Sequence, residues 1–290
     1  MTHPSPHTAH SAQEHDAGDL SELLDLDAEV LAGHLASLVA RLPVTDTPRH
    51  LLDLGCGTGA GTFALLDRFP RAEVTAVDSS PAHLRRLHEK AAAAGLADRV
   101  HPVAADLDAE EWPDLGAPDL VWASAALHHL ADPERALRRV RGLLAPGGLL
   151  AVVELAGFPR FLPADAPAGA PGLEDRCHAA LDRRHAAHLA HRHENWAPLL
   201  RSTGFDVEAE RTLAIEPGRG PQVPSDREAV ARYASSALRR VREAVAAELT
   251  PRDLAALDAL LDPDGPHALA RRNDLGVRTT RTVWAARPTV

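Results

Sequence analysis

Lysine is almost missing from this chain. Lys90 is the only one, and the other 30 of the 31 basic residues are arginine, a bias of genomic base composition rather than of mechanism. Positive charge is short overall. The formal net charge is −10, which argues against a general binder of nucleic acid or of anionic membranes, because either needs a basic surface. Cysteine occurs only as Cys56 and Cys177, so neither a disulfide framework nor a zinc-type spacing can be built. No apolar run approaches the length of a membrane span, and the first residues lack a signal-peptide core. The expectation is a cytoplasmic protein with no membrane partner. Aromatic residues make up only 3% of the chain, and Tyr233 is the sole tyrosine. What is present suffices for a buried core: 290 residues, 45% hydrophobic and 25% charged, the composition of a soluble globular protein.

The stretch that organises the rest is Leu51-Leu52-Asp53-Leu54-Gly55-Cys56-Gly57-Thr58-Gly59. An apolar run ending in an acid and followed by closely spaced glycines predicts a buried strand that turns sharply into a helix. There a ligand meets bare backbone amides at the helix N-terminus. Two patterns compete. Gly55-x-Gly57 followed by Ala60 passes as the G/A variant of a dinucleotide loop, which makes a nicotinamide-dependent oxidoreductase one reading. The third glycine, Gly59, gives instead D-x-G-x-G-x-G.

Taken in order, residues 1–19 are polar and carry His3, His7, His10 and His15 without periodicity, which predicts a disordered tail. Leu23 to Leu42 show helical spacing and predict one amphipathic helix before the glycine loop. Strands are expected at His50–Gly55, Ala72–Asp78, Arg99–Ala105, Pro118–Ser124 and Leu149–Glu154. Ser80-Pro81, Asp132-Pro133 and Thr250-Pro251 each read as a helix cap followed by proline at the first helical position. Ser225-Asp226-Arg227-Glu228 reads as a capping box opening a long helix.

With Asp78 closing strand two, Asp106 past strand three and Ala125-Ala126-Leu127-His128-His129-Leu130 past strand four, the chain resembles the class I S-adenosylmethionine-dependent methyltransferases over about residues 48–155. The resemblance implies an α/β fold, a doubly wound seven-stranded sheet of Rossmann-like methyltransferase type. Its strand order would be 3-2-1-4-5-7-6, with strand seven antiparallel and with helical cap or lid insertions. It implies S-adenosylmethionine as cofactor and S-adenosylhomocysteine as product. The implied cofactor residues are Asp53, Gly55, Cys56, Gly57, Gly59, Asp78, Ser79, Ala105, Asp106, Leu107, Ser124 and Ala125. Asp78 would hold the ribose and Asp106 the adenine amine. His128 and His129 follow strand four beside the expected methyl group, and are the candidate catalytic bases. A domain that binds the cofactor without transferring its methyl remains a third reading.

Beyond strand five the resemblance is only general. A single methyltransferase domain over residues 20–290 is expected, with substrate-cap insertions at 156–193 and 217–275. His178, His185 and His188 fall roughly on one side of a helix expected from Leu173 to His193. No acid or cysteine at comparable spacing completes a metal site, so no metal is assigned. His185, His188 and Tyr233 are the candidate substrate contacts. Few aromatics, two Pro-rich loops and an inserted cap point to a small-molecule acceptor, with secondary metabolites among the classes implied by the resemblance, rather than to nucleic acid or another polymer.

Overall fold

The computed structural model describes residues 20–44, 46–185, 195–215 and 226–289. The expected tail, His188 and the stretch Pro217–Pro224 lie outside them. Strands β1 (His50–Leu54), β2 (Glu73–Asp78), β3 (Val100–Ala104), β4 (Leu120–Ser124), β5 (Leu149–Leu155), β6 (Phe205–Ile215) and β7 (Thr279–Pro288) form one sheet. Its order is β3-β2-β1-β4-β5-β7-β6, with β7 antiparallel to both neighbours. This is the expected topology.

The central strands are short apolar runs because both faces of the sheet are covered. Alternate side chains divide between two cores. Leu51, Leu120, Trp122 and Ala151 face helices α2 (Ala32–Ala40), α3 (Ala60–Arg68) and α4 (Pro81–Ala93), while Leu52, Leu54, Val121 and Val152 face α5 (Pro133–Leu143) and α7 (Trp196–Ser202). Each fully buried aliphatic side chain in these layers contributes about 1.5–3 kcal/mol. The predicted caps form: Ser80 Oγ accepts from His83 N at 3.3 Å, Asp132 Oδ1 from Arg135 N at 2.9 Å, and Thr250 Oγ1 from Asp253 N at 3.2 Å.

A third core lies beyond the sheet. It joins helix α1 (20–30) to α6 (Leu173–His185), α8 (Arg227–Val245) and α9 (Pro251–Leu261). In sequence, α6 separates β5 from β6, and α8 and α9 separate β6 from β7, so together they form a cap.

Two expectations need correction. The helix before the glycine loop is broken at Leu31, which has φ −103° and ψ 13°. Leu26 and Val30 pack in the cap whereas Leu35, Leu38 and Val39 pack on the sheet, and one straight helix cannot present both stripes. Helix α8 is capped by Asp226, and Ser225 lies outside the described residues. The Asp226 carboxylate accepts from Glu228 N at 2.9 Å and Ala229 N at 3.2 Å.

Close packing of α3 on β4 yields a stability prediction. A Cβ added at Gly61 would lie 2.6 Å from Trp122 Nε1 and 3.0 Å from Asp53 Oδ2. Gly61→Ala should therefore destabilise the protein by about 1–3 kcal/mol despite the better helix propensity of alanine. A lowered urea midpoint with unchanged slope would bear this out.

Candidate active site

Strand register assembles the site. β1 pairs Leu54 with Val77 of β2 and with Ala123 of β4, while β2 pairs Asp78 with Ala104 of β3. Gly55, Asp78, Ser124 and Ala105 therefore emerge together at the carboxyl edge of the sheet, where the strand order reverses between β1 and β4. They line a cavity of about 810 Å³. Its roof is α1, with Leu20, Leu24 and Asp27, and a far wall carries Arg240 and Arg281.

Of the expected cofactor residues, Asp53, Gly55, Cys56, Gly57, Asp78, Ser79, Ala105, Asp106, Leu107, Ser124 and Ala125 line this cavity. Gly59 does not. Its φ is +96°, and a Cβ there would stand 2.3 Å from Leu87 Cδ1, so it serves the packing of α3 on α4. Gly55 has φ +67°, and a Cβ on it would fall 2.5 Å from Ala126 Cβ. Ala125 itself takes φ +51°, the only non-glycine residue in this region among those described. The loops after β1 and β4 thus cross in contact, and both bend sharply to do so.

Asp78 is pre-oriented. Its Oδ2 accepts from Gly57 N at 2.9 Å, and its Oδ1 from Ser80 N at 2.8 Å and from His83 Nδ1 at 3.2 Å. Burial favours the neutral acid, but hydrogen bonds from His83, Ser80 and Gly57 prevail and hold its carboxyl below the usual range. Since a carboxylate only accepts, His83 Nδ1 carries a proton, and in the neutral ring Nε2 is then an acceptor. That Nε2 is buried without a partner, and His83 lines the cavity. The sequence reading missed His83. The signal was its place at the third position of the helix that the Asp78 turn opens.

Asp53 behaves oppositely. Complete burial and the nearby charge of Asp78 push its carboxyl up to about 7, against the hydrogen bond of 2.7 Å from Thr62 Oγ1. Past β3, Asp106 Oδ1 accepts from Asp108 N at 2.9 Å, and the Asp108 carboxylate accepts from Ala131 N at 3.0 Å. These bonds tie the loop after β3 to the loop after β4.

The histidine pair splits. His129 lines the cavity, while His128 is absent from its wall and is buried. His128 Nδ1 donates to Glu154 Oε2 at 2.6 Å, and the two imidazoles stack with centroids 4.1 Å apart. Tyr233 donates through its hydroxyl to Asp27 Oδ1 at 2.6 Å, and the same carboxylate accepts from Arg281 Nη2 at 2.8 Å and 3.0 Å. Its ring lines a second cavity, together with His178. His185 is the last residue of α6. No group of three or more possible metal ligands occurs among the described residues.

Residues 52–150 match the family model described as a methyltransferase domain. Trans-aconitate 2-methyltransferase of Methylobacterium radiotolerans is 45% identical over 117 residues, covering 40% of this chain and 42% of that protein. The chain thus spans less than half the length of this relative. Among solved structures, the 4+2 cyclase SpnF superimposes with a TM-score of 0.50 at 23% identity, over 89% of this chain and 82% of its own. Phosphoethanolamine N-methyltransferase 2 of Haemonchus contortus, in complex with S-adenosyl-L-methionine, gives a TM-score of 0.51 at 16% identity. That match covers 89% of this chain and 52% of the other. These likenesses show the fold.

The raised carboxyl of Asp53 makes stability depend on pH. The folded state holds a proton there up to about pH 7, whereas the unfolded carboxyl loses it near the ordinary value of about 4. Stability from this group is therefore full in acid and is lost as pH rises from about 4 to about 7. Asp53→Asn keeps an oxygen for Thr62 without the charge. Its stability relative to the unsubstituted protein should rise by the order of 2 kcal/mol between pH 5 and pH 8, as read from denaturation midpoints at the two pH values.

Proposed function

We propose that this chain, whose residues 52–150 belong to the methyltransferase domain family, transfers a methyl group from S-adenosylmethionine to a small-molecule acceptor. One observation carries the proposal. A single cavity gathers an ionised acid at the tip of β2, bare amides at the start of α3, an acid past β3 and a histidine past β4. The orphaned Nε2 of buried His83 supports a ligand with a hydroxyl at that point.

Bound there, the cofactor would supply an electrophilic methyl on a sulfonium. Asp78 would hold the ribose through the acceptor direction left on Oδ2, with His83 Nε2 available to a hydroxyl. Asp106 would face the adenine amine, and Gly55 and Gly57 would admit the amino-acid end to the backbone. Positive charge disperses during in-line displacement, so the protein contributes mainly alignment and exclusion of water. The roof of Leu20 and Leu24 serves the second task. His129 would hold the acceptor's proton, and its ring contact with His128, itself fixed by Glu154, restricts where its ring can turn.

The fold also hosts other chemistry, as the cyclase SpnF illustrates, so binding and transfer need separate tests. Calorimetric titration with S-adenosylhomocysteine should give micromolar affinity that weakens more than about tenfold in Asp78→Ala. NADH in the same cell should give no heat. With an accepted acceptor, His129→Ala should lower kcat by about a hundredfold or more while changing S-adenosylhomocysteine affinity only a few-fold. Binding without any methylated product would leave a cofactor-binding domain of another kind.

A further inference from the structure

A second cavity of about 480 Å³ lies between α1, α6, α8 and the segment after β5. Its wall is formed mainly by Leu23, Phe158, Phe161, Leu181, Tyr233 and Val241. Leu20 and Arg240 line both this cavity and the larger one, so the two adjoin there. Among the described residues, Arg240, Glu243 and His178 are the acidic, basic or imidazole groups on its wall. His178 is buried, with its ring 5.5 Å from that of Phe158.

We propose that this cavity is the acceptor pocket and that the acceptor is a mostly apolar small molecule carrying one anionic group, held beside Arg240. The proposal rests on the methyltransferase reading and deepens it. Three features carry it. The volume is that of a pocket enclosing a drug-sized ligand. Leu20, Leu23, Phe158 and Ala237 remain only partly buried in the folded chain although they converge on one space, and an apolar body would complete their burial. The cation at Arg240 stands where this pocket meets the cofactor cavity, so an anionic group placed there turns the acceptor's reactive end toward the methyl donor.

The same wall opposes the acceptor named for the Methylobacterium relative. Trans-aconitate is a tricarboxylate, and each carboxylate buried without a partner costs several kcal/mol. Among the described residues Arg240 is the one guanidinium on this wall, and Glu243 on the same wall repels added carboxylates. Identity to that relative is confined to 117 residues, 40% of this chain, so similarity in the methyl-donor half and a different acceptor are compatible.

The test uses 1-anilinonaphthalene-8-sulfonate, an apolar body with one sulfonate, and the full chain. The dye should fluoresce on binding. Ala237→Trp and Ala244→Phe, which fill the pocket from α8, should each weaken it by more than about tenfold while S-adenosylhomocysteine titration and melting temperature change little. Trans-aconitate should not displace the dye. Unchanged dye binding in both variants, no dye binding by the unsubstituted protein, or displacement by trans-aconitate would overturn the proposal. Failure of S-adenosylhomocysteine to bind, with the dye pattern as expected, would defeat the methyltransferase reading and leave the pocket as a site for an apolar anion.

Discussion

The contact between Gly55 and Ala126 is the constraint on which the site depends. A side chain at Gly55 would have to share space with the Ala126 methyl, 2.5 Å away. Two parallel strands that end side by side usually send their connections to opposite faces of the sheet, leaving a crevice at the switch point. Here the two connections cross in contact before they diverge. The crossing fixes the start of α3 and the loop that bears His129 relative to each other. It also explains why the backbone tolerates a left-handed alanine at Ala125: the Ala125 N–H is anchored to the Val153 carbonyl at 2.8 Å, and the sheet over-determines the position.

The roof is held from two sides. On α1, Asp25 accepts from Arg86 and from Lys90 of α4, each at 2.8 Å, and Asp27 accepts from Arg281 of β7 and Tyr233 of α8. The first pair of contacts is largely solvated and contributes little. The second is not. Arg281 is buried, and removing Asp27 would leave an uncompensated cation beside the cavity. The break at Leu31 lets the same segment continue onto the sheet. Movement of α1 would then shift the walls of both cavities together, because Leu20 lines each of them.

Much of this was legible in the sequence. Short apolar runs, capped helices and prolines at first helical positions specified the strands because local and global preferences agree there, while their order came from the resemblance. The expected cofactor residues that line the cavity share one property: each stands at or within three positions of a strand's carboxyl end, and the parallel register carries them to one edge. Three things were not legible. Helical spacing cannot show that two halves of an apolar stripe face different cores, which hid the break at Leu31. A glycine motif cannot separate a residue that admits a ligand from one that admits a neighbouring helix, which hid the role of Gly59. Nor can a His-His pair reveal that Glu154, 26 positions later, takes up one of its members.

The local rules are broken most densely around one cavity. Asp53 is buried with its carboxyl pushed up to about 7, Ala125 has a positive φ, and His83 Nε2 and Trp122 Nε1 are buried without partners. Each orphaned polar atom costs about 1–3 kcal/mol, a sizeable share of the 5–15 kcal/mol that stabilises a typical domain. Buried polar atoms off this cavity's wall also lack a partner, among them Thr279 Oγ1 and Trp284 Nε1 on β7. A ligand that donates to His83 and accepts from Trp122 would return part of that cost on binding, and the bound chain would then be more stable than the free one by mass action. On the cavity wall, His83 Nε2 and Trp122 Nε1 are the points where such a ligand would place its polar groups.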